Sequence, residues 1–395
     1  MKHPLDQPPQ RDHFPLASLL ALAMTGFTAI LTETLPAGLL PQISQDLAIS
    51  EAYAGQMITL FALGALISVI PLVALTQNWN RKSVLMLAIA GFLIFNTITA
   101  LSQHYGIILA ARLFGGMSAG LCWGLLAGYA RRLVHPALQG KALAIAMFGT
   151  PVALSIGLPL GTWLGSLLGW RTIFLLVSLL GVLLLIWVWR GVPGRASEPS
   201  VQRLSLTQVF TLPGIRPILA VIFIWMLGHN LLYTYIAPFL VHSGLAERID
   251  VVLLVFGLTA LASIILVGFW VDRLLRSLTL LSLIFFALTA TLLGIWSHHP
   301  GVVFTAVGLW GLSFGGAATL LVTASADAAH EAVDAAQSIV VTTWNLAIAS
   351  GSLVGGLLLG IMPVAQFPWP LLVLALVALS IAWIARTHSF KPGHR

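Results

Sequence analysis

The stretch Arg171-Thr172-Ile173-Phe174-Leu175-Leu176-Val177-Ser178-Leu179-Leu180-Gly181-Val182-Leu183-Leu184-Leu185-Ile186-Trp187-Val188-Trp189 carries no Asp, Glu, Lys or Arg after its first residue. It matches the roughly 20 apolar residues that a helix needs to cross the hydrocarbon of a bilayer. Lipid offers backbone N–H and C=O groups no partners, so a spanning segment of this length is helical. Working outward, similar segments recur near 14–40, 51–75, 83–102, 105–130 and 140–166, and again near 217–241, 250–271, 277–296, 301–325, 337–362 and 367–385. A soluble core is excluded. Apolar residues make up 58% of the chain and charged residues 8%, where soluble domains carry roughly 25% charged. A mean hydropathy of +0.98 over 395 residues would leave much apolar area in water. The ten-residue alternation of an outer-membrane barrel is absent.

The net charge of +7 has a topological cause and does not point to nucleic acid. With the N-terminus inside, all of the 19 Lys and Arg except Arg112, Arg171 and Arg248 fall in cytoplasmic segments. That bias fixes orientation and agrees with an even number of spans. The expected location is the cytoplasmic (inner) membrane, multi-pass, with both termini cytoplasmic. Cys122 is the only cysteine, so no intramolecular disulfide forms. Residues 1–13 are polar and precede a span too long for a cleavable leader.

The longest polar interruption, about 190–216, contains Pro193, Gly194, Ser197, Pro199 and Arg203. It divides the chain into an N-terminal bundle (1–190), a linker (191–213) and a C-terminal bundle (214–395). Each half has basic residues after its second span, at Arg81-Lys82 and at Arg273…Arg276. The fifth span holds Gly157, Gly161 and Gly165, and the eleventh holds Gly351, Gly355, Gly356 and Gly360 at nearly the same offset. The first span has Thr32…Pro36 and the seventh has Thr234…Pro238. The expected fold is an all-α polytopic membrane protein, with twelve transmembrane helices in two six-helix pseudo-symmetric halves. Carriers of this design hold their site between the halves.

Several short motifs stand in a fixed order: Thr32-Glu33-Thr34-Leu35-Pro36-Ala37-Gly38-Leu39-Leu40-Pro41, Arg112-Leu113-Phe114-Gly115-Gly116, Gly157-Leu158-Pro159-Leu160-Gly161, Gly169-Trp170-Arg171 and Tyr233-Thr234-Tyr235-Ile236-Ala237-Pro238-Phe239. Together they make the chain resemble the major facilitator superfamily, specifically its drug:proton antiporter branch of sugar, arabinose and nucleoside exporters. The resemblance implies a twelve-helix carrier, proton-coupled export, and a proton-exchange role for Arg112 beside the embedded acid. The family's loop after the second span usually reads Gly-x-x-x-Asp-Arg-x-Gly-Arg-Lys. Here the stretch is Val73-Ala74-Leu75-Thr76-Gln77-Asn78-Trp79-Asn80-Arg81-Lys82, with Gln77 at the acidic position. The second half keeps a closer copy, Gly268-Phe269-Trp270-Val271-Asp272-Arg273. By the resemblance, any latch on the cytoplasmic side leans on Asp272 and Arg273, with Arg81 in the first half. Pro159 is displaced by one from the antiporters' adjacent Gly-Pro. By the resemblance, Gly157, Pro159 and Gly161 are expected to act in the conformational change.

Glu33 alone among the 12 acidic residues lies well inside a span. An ionised carboxylate there costs at least roughly 2.5–3.5 kcal/mol, so such a group faces a cavity or a partner. It is the expected proton carrier. Arg112 is the one mid-span cation. It lies 8 residues from His104, and Glu33 lies 7 from Leu40. At about 1.5 Å per residue both are roughly 10–12 Å deep, so they are expected to pair directly or through water. The bland alternative is an ion pair that only holds the fold. His229 is deep in the seventh span, where an imidazole suits a proton relay or a substrate hydrogen bond; a purely structural hydrogen bond is the rival reading. Asn230, Tyr233, Tyr235, Trp123, Trp310, Trp344 and Asn345 are the substrate candidates, since binding cavities mix aromatics with a few placed polar groups.

Gly116-Met117-Ser118-Ala119-Gly120 and Gly311-Leu312-Ser313-Phe314-Gly315 match a nucleophile elbow, but that motif needs a strand-turn-helix. Inside helices the same spacing lets backbones approach closely. His330-Glu331 lacks the second His of a zinc helix, and no phosphate-binding loop exists. The expectation is no enzyme, no metal and no cofactor. The chain reads as a proton-coupled exporter of small sugar-like or amphiphilic molecules or drugs, working as a monomer in lipid. An uptake symporter or facilitator, or a non-transporting receptor or scaffold, are the rivals.

Overall fold

The structure is a computed structural model that describes residues 14–76, 78–135, 138–194, 210–329 and 333–390. Every regular element among the described residues is a helix. Five of the first six spans are α1 (Leu16–Asp46), α2 (Glu51–Leu75), α3 (Arg81–Leu101), α4 (Tyr105–Arg132) and α6 (Trp170–Gly191). Between the last two lies α5, built from Gln139–Met147, Gly149–Val152, a π-helical turn at Ala153–Gly157, and Leu158–Leu168. The seventh, α7, runs Ile215–Thr234 and resumes as Ile236–His242 after a non-helical Tyr235. Then come α10 (Pro300–Gly315 and Ala317–Ala329), α11 (Val333–Leu359) and α12 (Pro368–Ile384).

The remaining two spans form one continuous run, Ile249–Trp296, 48 residues long. A straight helix of that length would extend about 70 Å, more than twice the hydrocarbon thickness. Leu274 leaves helical geometry at φ −127°, ψ 25°, dividing the run into α8 (249–273) and α9 (275–296). The described residues thus hold twelve membrane-length helices, as the apolar segments predict. Most of the expected 191–213 linker, together with Gln77 and His330-Glu331, lies outside the described residues.

The surface is apolar where a soluble protein would be charged. On α6, Leu175, Leu179, Leu183 and Ile186 are exposed, while Phe174, Val177 and Val188 face the core. Inside, hydroxyls without water turn back onto their own helices. Thr25 donates to Ala21 O, Thr28 to Met24 O and Thr99 to Phe95 O.

The two Gly-x-Ser-x-Gly stretches are packing devices. Gly116 and Gly120 of α4 abut the backbone of α2 at Phe61 and Ala65, and Gly311 and Gly315 of α10 abut α8 at Phe256 and Ala260. Gly157, Gly161 and Gly165 of α5 lie against Phe27, Leu35 and Leu39 of α1. Pro159 lacks the amide that would bond Ser155 O, which removes one rung just where the π turn sits. Gly169, at φ 82°, turns α5 into α6 in a region that side chains rarely enter.

Helices α1–α6 meet α7–α12 through α1 with α7, α2 with α11 and α5 with α8. The closest approaches lie toward the end away from the basic loops. There a Cβ on Gly55 would stand 2.7 Å from Cζ of Tyr235, and one on Gly356 would stand 2.9 Å from its hydroxyl. Likewise, a Cβ on Gly257 of α8 would lie 2.9 Å from the carbonyl oxygens of Leu154 and Ser155 in the π turn.

Candidate functional site

Glu33 and Arg112 are both buried, at 8% and 1% exposure. They do not meet as an ion pair. The guanidinium is spent on backbone carbonyls: Nε donates to Met57 O of α2 at 3.1 Å, Nη1 to Thr32 O at 2.7 Å and Nη2 to Glu33 O at 3.2 Å. The local sequence explains the choice. A helical carbonyl is normally taken by the amide four residues on, and the residue four after Thr32 is Pro36, which has none. Pro36 frees Thr32 O, and Arg112 takes it. The fork of the guanidinium suits several acceptors in one plane, and Phe61 lies 4.5 Å beneath it. Thr32 is fixed from its other side, where its hydroxyl accepts from Asn96 Nδ2 of α3 at 2.9 Å. A buried cation therefore grips the turn that carries the acid, and the two charges still act on one another through space.

Across from this turn, α7 presents Tyr233. Its hydroxyl is buried beside Thr34 and faces the turn that carries Glu33. One turn earlier, His229 is enclosed by rings. Phe314 stacks on it at 3.5 Å between centroids and 3° between planes, with Tyr233 and Trp310 at 5.4 Å and Phe256 at 6.0 Å. Trp310 Nε1 donates to His229 Nδ1 at 3.0 Å. An indole nitrogen only donates, so Nδ1 carries the lone pair and the proton of the neutral ring sits on Nε2. A cationic ring would set N–H against N–H. In this arrangement the neutral ring has Nδ1 taken by the indole and Nε2–H left as its donor.

The remaining candidates are spread over the helices. Asn230 donates to Met226 O at 2.8 Å and lies against Gly351 of α11. Tyr235 donates to Ser352 O at 3.1 Å, and its ring fills the α2–α11 contact. It belongs to the closed end and not to the His229 cluster. Trp344 is partly buried against the core, whereas Asn345 bonds its own helix at Val341 O. Trp123 packs over Gly26 of α1. Asp272 and Arg273 are exposed at the basic end, beside the α8–α9 break, and Arg81 opens α3 after the Asn80 cap. Sequence reasoning missed Phe61, Asn96, Phe256, Gly257 and Phe314. Only Thr32 O had a readable signal, the proline four residues beyond it.

A sequence profile of the Major Facilitator Superfamily matches residues 22–266 and 246–394. The purine ribonucleoside efflux pump NepI of Shigella sonnei is 29% identical over 348 residues, covering 86% of each chain. The NepI of Escherichia coli K12 is equally similar. Among solved structures, a bacterial homologue of the human lysosomal transporter Spinster, in an inward-facing and occupied conformation, superposes with a TM-score of 0.74. It is 15% identical and covers 94% of this chain and 96% of its own.

Proposed function

The chain belongs to the Major Facilitator Superfamily, a family of transporters and not of enzymes, and on that premise we propose that it is a proton-coupled exporter of small molecules that pair a sugar with a flat heteroaromatic ring. The observation that carries this reading is the Arg112 fork on the Thr32–Glu33 turn. An ionised Glu33 and Arg112 attract one another through space. A proton arriving from the far side removes that attraction and frees the Glu33 side chain to move against α7, while Arg112 keeps its carbonyl bonds to the turn. Cargo enters from the basic end, which the positive-inside bias places in the cytoplasm, and leaves as Glu33 is protonated. Gly55, Gly257 and Gly356 are the close contacts that open. Arg81, Asp272 and Arg273 stand where the opposite end would latch.

The cargo class rests on the α7–α10 rings and on the relatives' purine ribonucleosides. His229 Nε2–H offers one directed donor among flat faces, which suits the ring of such a molecule. Asn230, Trp344 and Asn345 lie on the helices available to the sugar hydroxyls. The transporter acts as a monomer in the cytoplasmic membrane. The test uses proteoliposomes with an imposed pH gradient and radiolabelled guanosine, lactose or a cationic dye. Guanosine driven uphill against the proton flow supports the reading. Movement in the direction of the protons would make the protein a symporter, and preference for lactose or dye would overturn the cargo class.

A further inference from the structure

On the lipid-facing side of α9 and α12 lies a groove of about 380 Å³ lined by Leu280, Ile284, Leu379, Ser380, Trp383 and Ile384. Leu280 and Ile284 follow Arg276 at intervals of four residues, so all three share one face of α9 and Arg276 stands about 6 Å beyond the apolar lining. Trp383 and Ile384 of α12 are followed by Arg386, which is exposed. The groove thus runs from an apolar floor to a mouth held by two cations.

The mouth is rigid. Arg276 donates through Nη1 to Ala382 O at 2.9 Å and Phe390 O at 3.3 Å, and through Nη2 to Trp383 O at 2.9 Å. These bonds fold residues 385–390 back over the end of α12. Phe390 is fully buried, and Ser389 is tied to Gly214 O at 2.8 Å. The fold-back leaves Arg386 exposed two residues after Ile384, at the same end of the groove as Arg276, which bonds Trp383 O. The acceptors that Arg276 meets in these contacts are the main-chain oxygens of Ala382, Trp383 and Phe390. A group that carries negative charge and an apolar tail satisfies the mouth and the floor together.

We infer that this groove is a binding site for one anionic phospholipid, with an acyl chain along Leu280, Ile284 and Ile384 and its phosphate between Arg276 and Arg386. The full-length protein, purified in a neutral detergent, is titrated with phosphatidylglycerol or phosphatidylcholine of the same chains, and bound lipid is counted by native mass spectrometry. The site predicts one phosphatidylglycerol retained in preference to phosphatidylcholine. Arg386→Gln should weaken that retention about fivefold, the change that corresponds to ~1 kcal/mol per basic residue near an anionic headgroup. Ile284→Trp, which fills the groove without touching the arginines, should abolish the preferred lipid. Equal retention of both lipids, or retention unchanged in both variants, overturns the site. Competition by inorganic phosphate alone would show that the arginines recognise an anion without the groove, which also overturns it.

Discussion

Replacing Gly257 with alanine isolates the contact that closes the end away from the basic loops. The new methyl carbon would overlap Ser155 Cα and stand 2.9 Å from the Leu154 and Ser155 carbonyl oxygens, where carbon contacts are comfortable only at about 3.5–4.0 Å. Those atoms are backbone inside a helical turn, so no side chain can swing away. Overpacking of this kind costs ~1–3 kcal/mol, and separation of α8 from α5 relieves it. The penalty therefore falls on the closed arrangement alone. At ~1.4 kcal/mol per factor of ten, the balance between closed and open ends moves by about five- to more than a hundredfold. Spin labels at Gln103→Cys and Glu247→Cys, on exposed loops of that end, report the separation by pulsed electron paramagnetic resonance in a Cys122→Ala background. A population at longer distance is expected. Gly128→Ala, with nothing within 4 Å of its added carbon, should leave the distribution unchanged. A Gly257→Ala distribution identical to that of the parent would refute the assignment of this contact as a closure surface.

Three further substitutions probe the site. Arg112→Lys keeps the charge but not the fork, so most of the three carbonyl contacts are lost. Melting in detergent should fall by the equivalent of ~1–3 kcal/mol and uphill transport should fail, whereas wild-type transport would show that charge alone suffices. Pro36→Ala restores an amide donor to Thr32 O in competition with Arg112. Thermal stability should hold or rise, since proline is the poorest helix former by ~3 kcal/mol, while transport drops; unchanged transport would contradict the role given to the freed carbonyl. Trp310→Phe keeps a ring but removes the donor that fixes His229 Nδ1, and should cost ~1 kcal/mol of stability and weaken cargo binding several-fold by calorimetry. Equal binding would mean that the His229 tautomer does not matter to recognition.

The twelve spans were legible because lipid imposes a composition that no other environment tolerates. Glu33 and Arg112 were legible for the same reason, each being a lone charge in an apolar run. Their relation was not. Sequence names side chains, while Arg112 binds main-chain oxygens at Met57, Thr32 and Glu33, and any residue type supplies those. The His229–Trp310 bond joins positions 81 residues apart on α7 and α10, and no local pattern announces it. Gly257 is one of 36 glycines, and only the crossing of α8 over the π turn sets it apart. The π turn itself had a trace, since Pro159 removes a rung from α5, but its facing partner lies in the other half of the chain.

The account stands on Glu33 exchanging a proton while Arg112 holds its turn. Proteoliposomes containing Glu33→Gln, loaded with cargo and given a pH gradient, measure this directly. The variant should still exchange labelled for unlabelled cargo at equilibrium, yet fail to concentrate cargo when the gradient is applied. Accumulation by Glu33→Gln equal to that of the parent would contradict it.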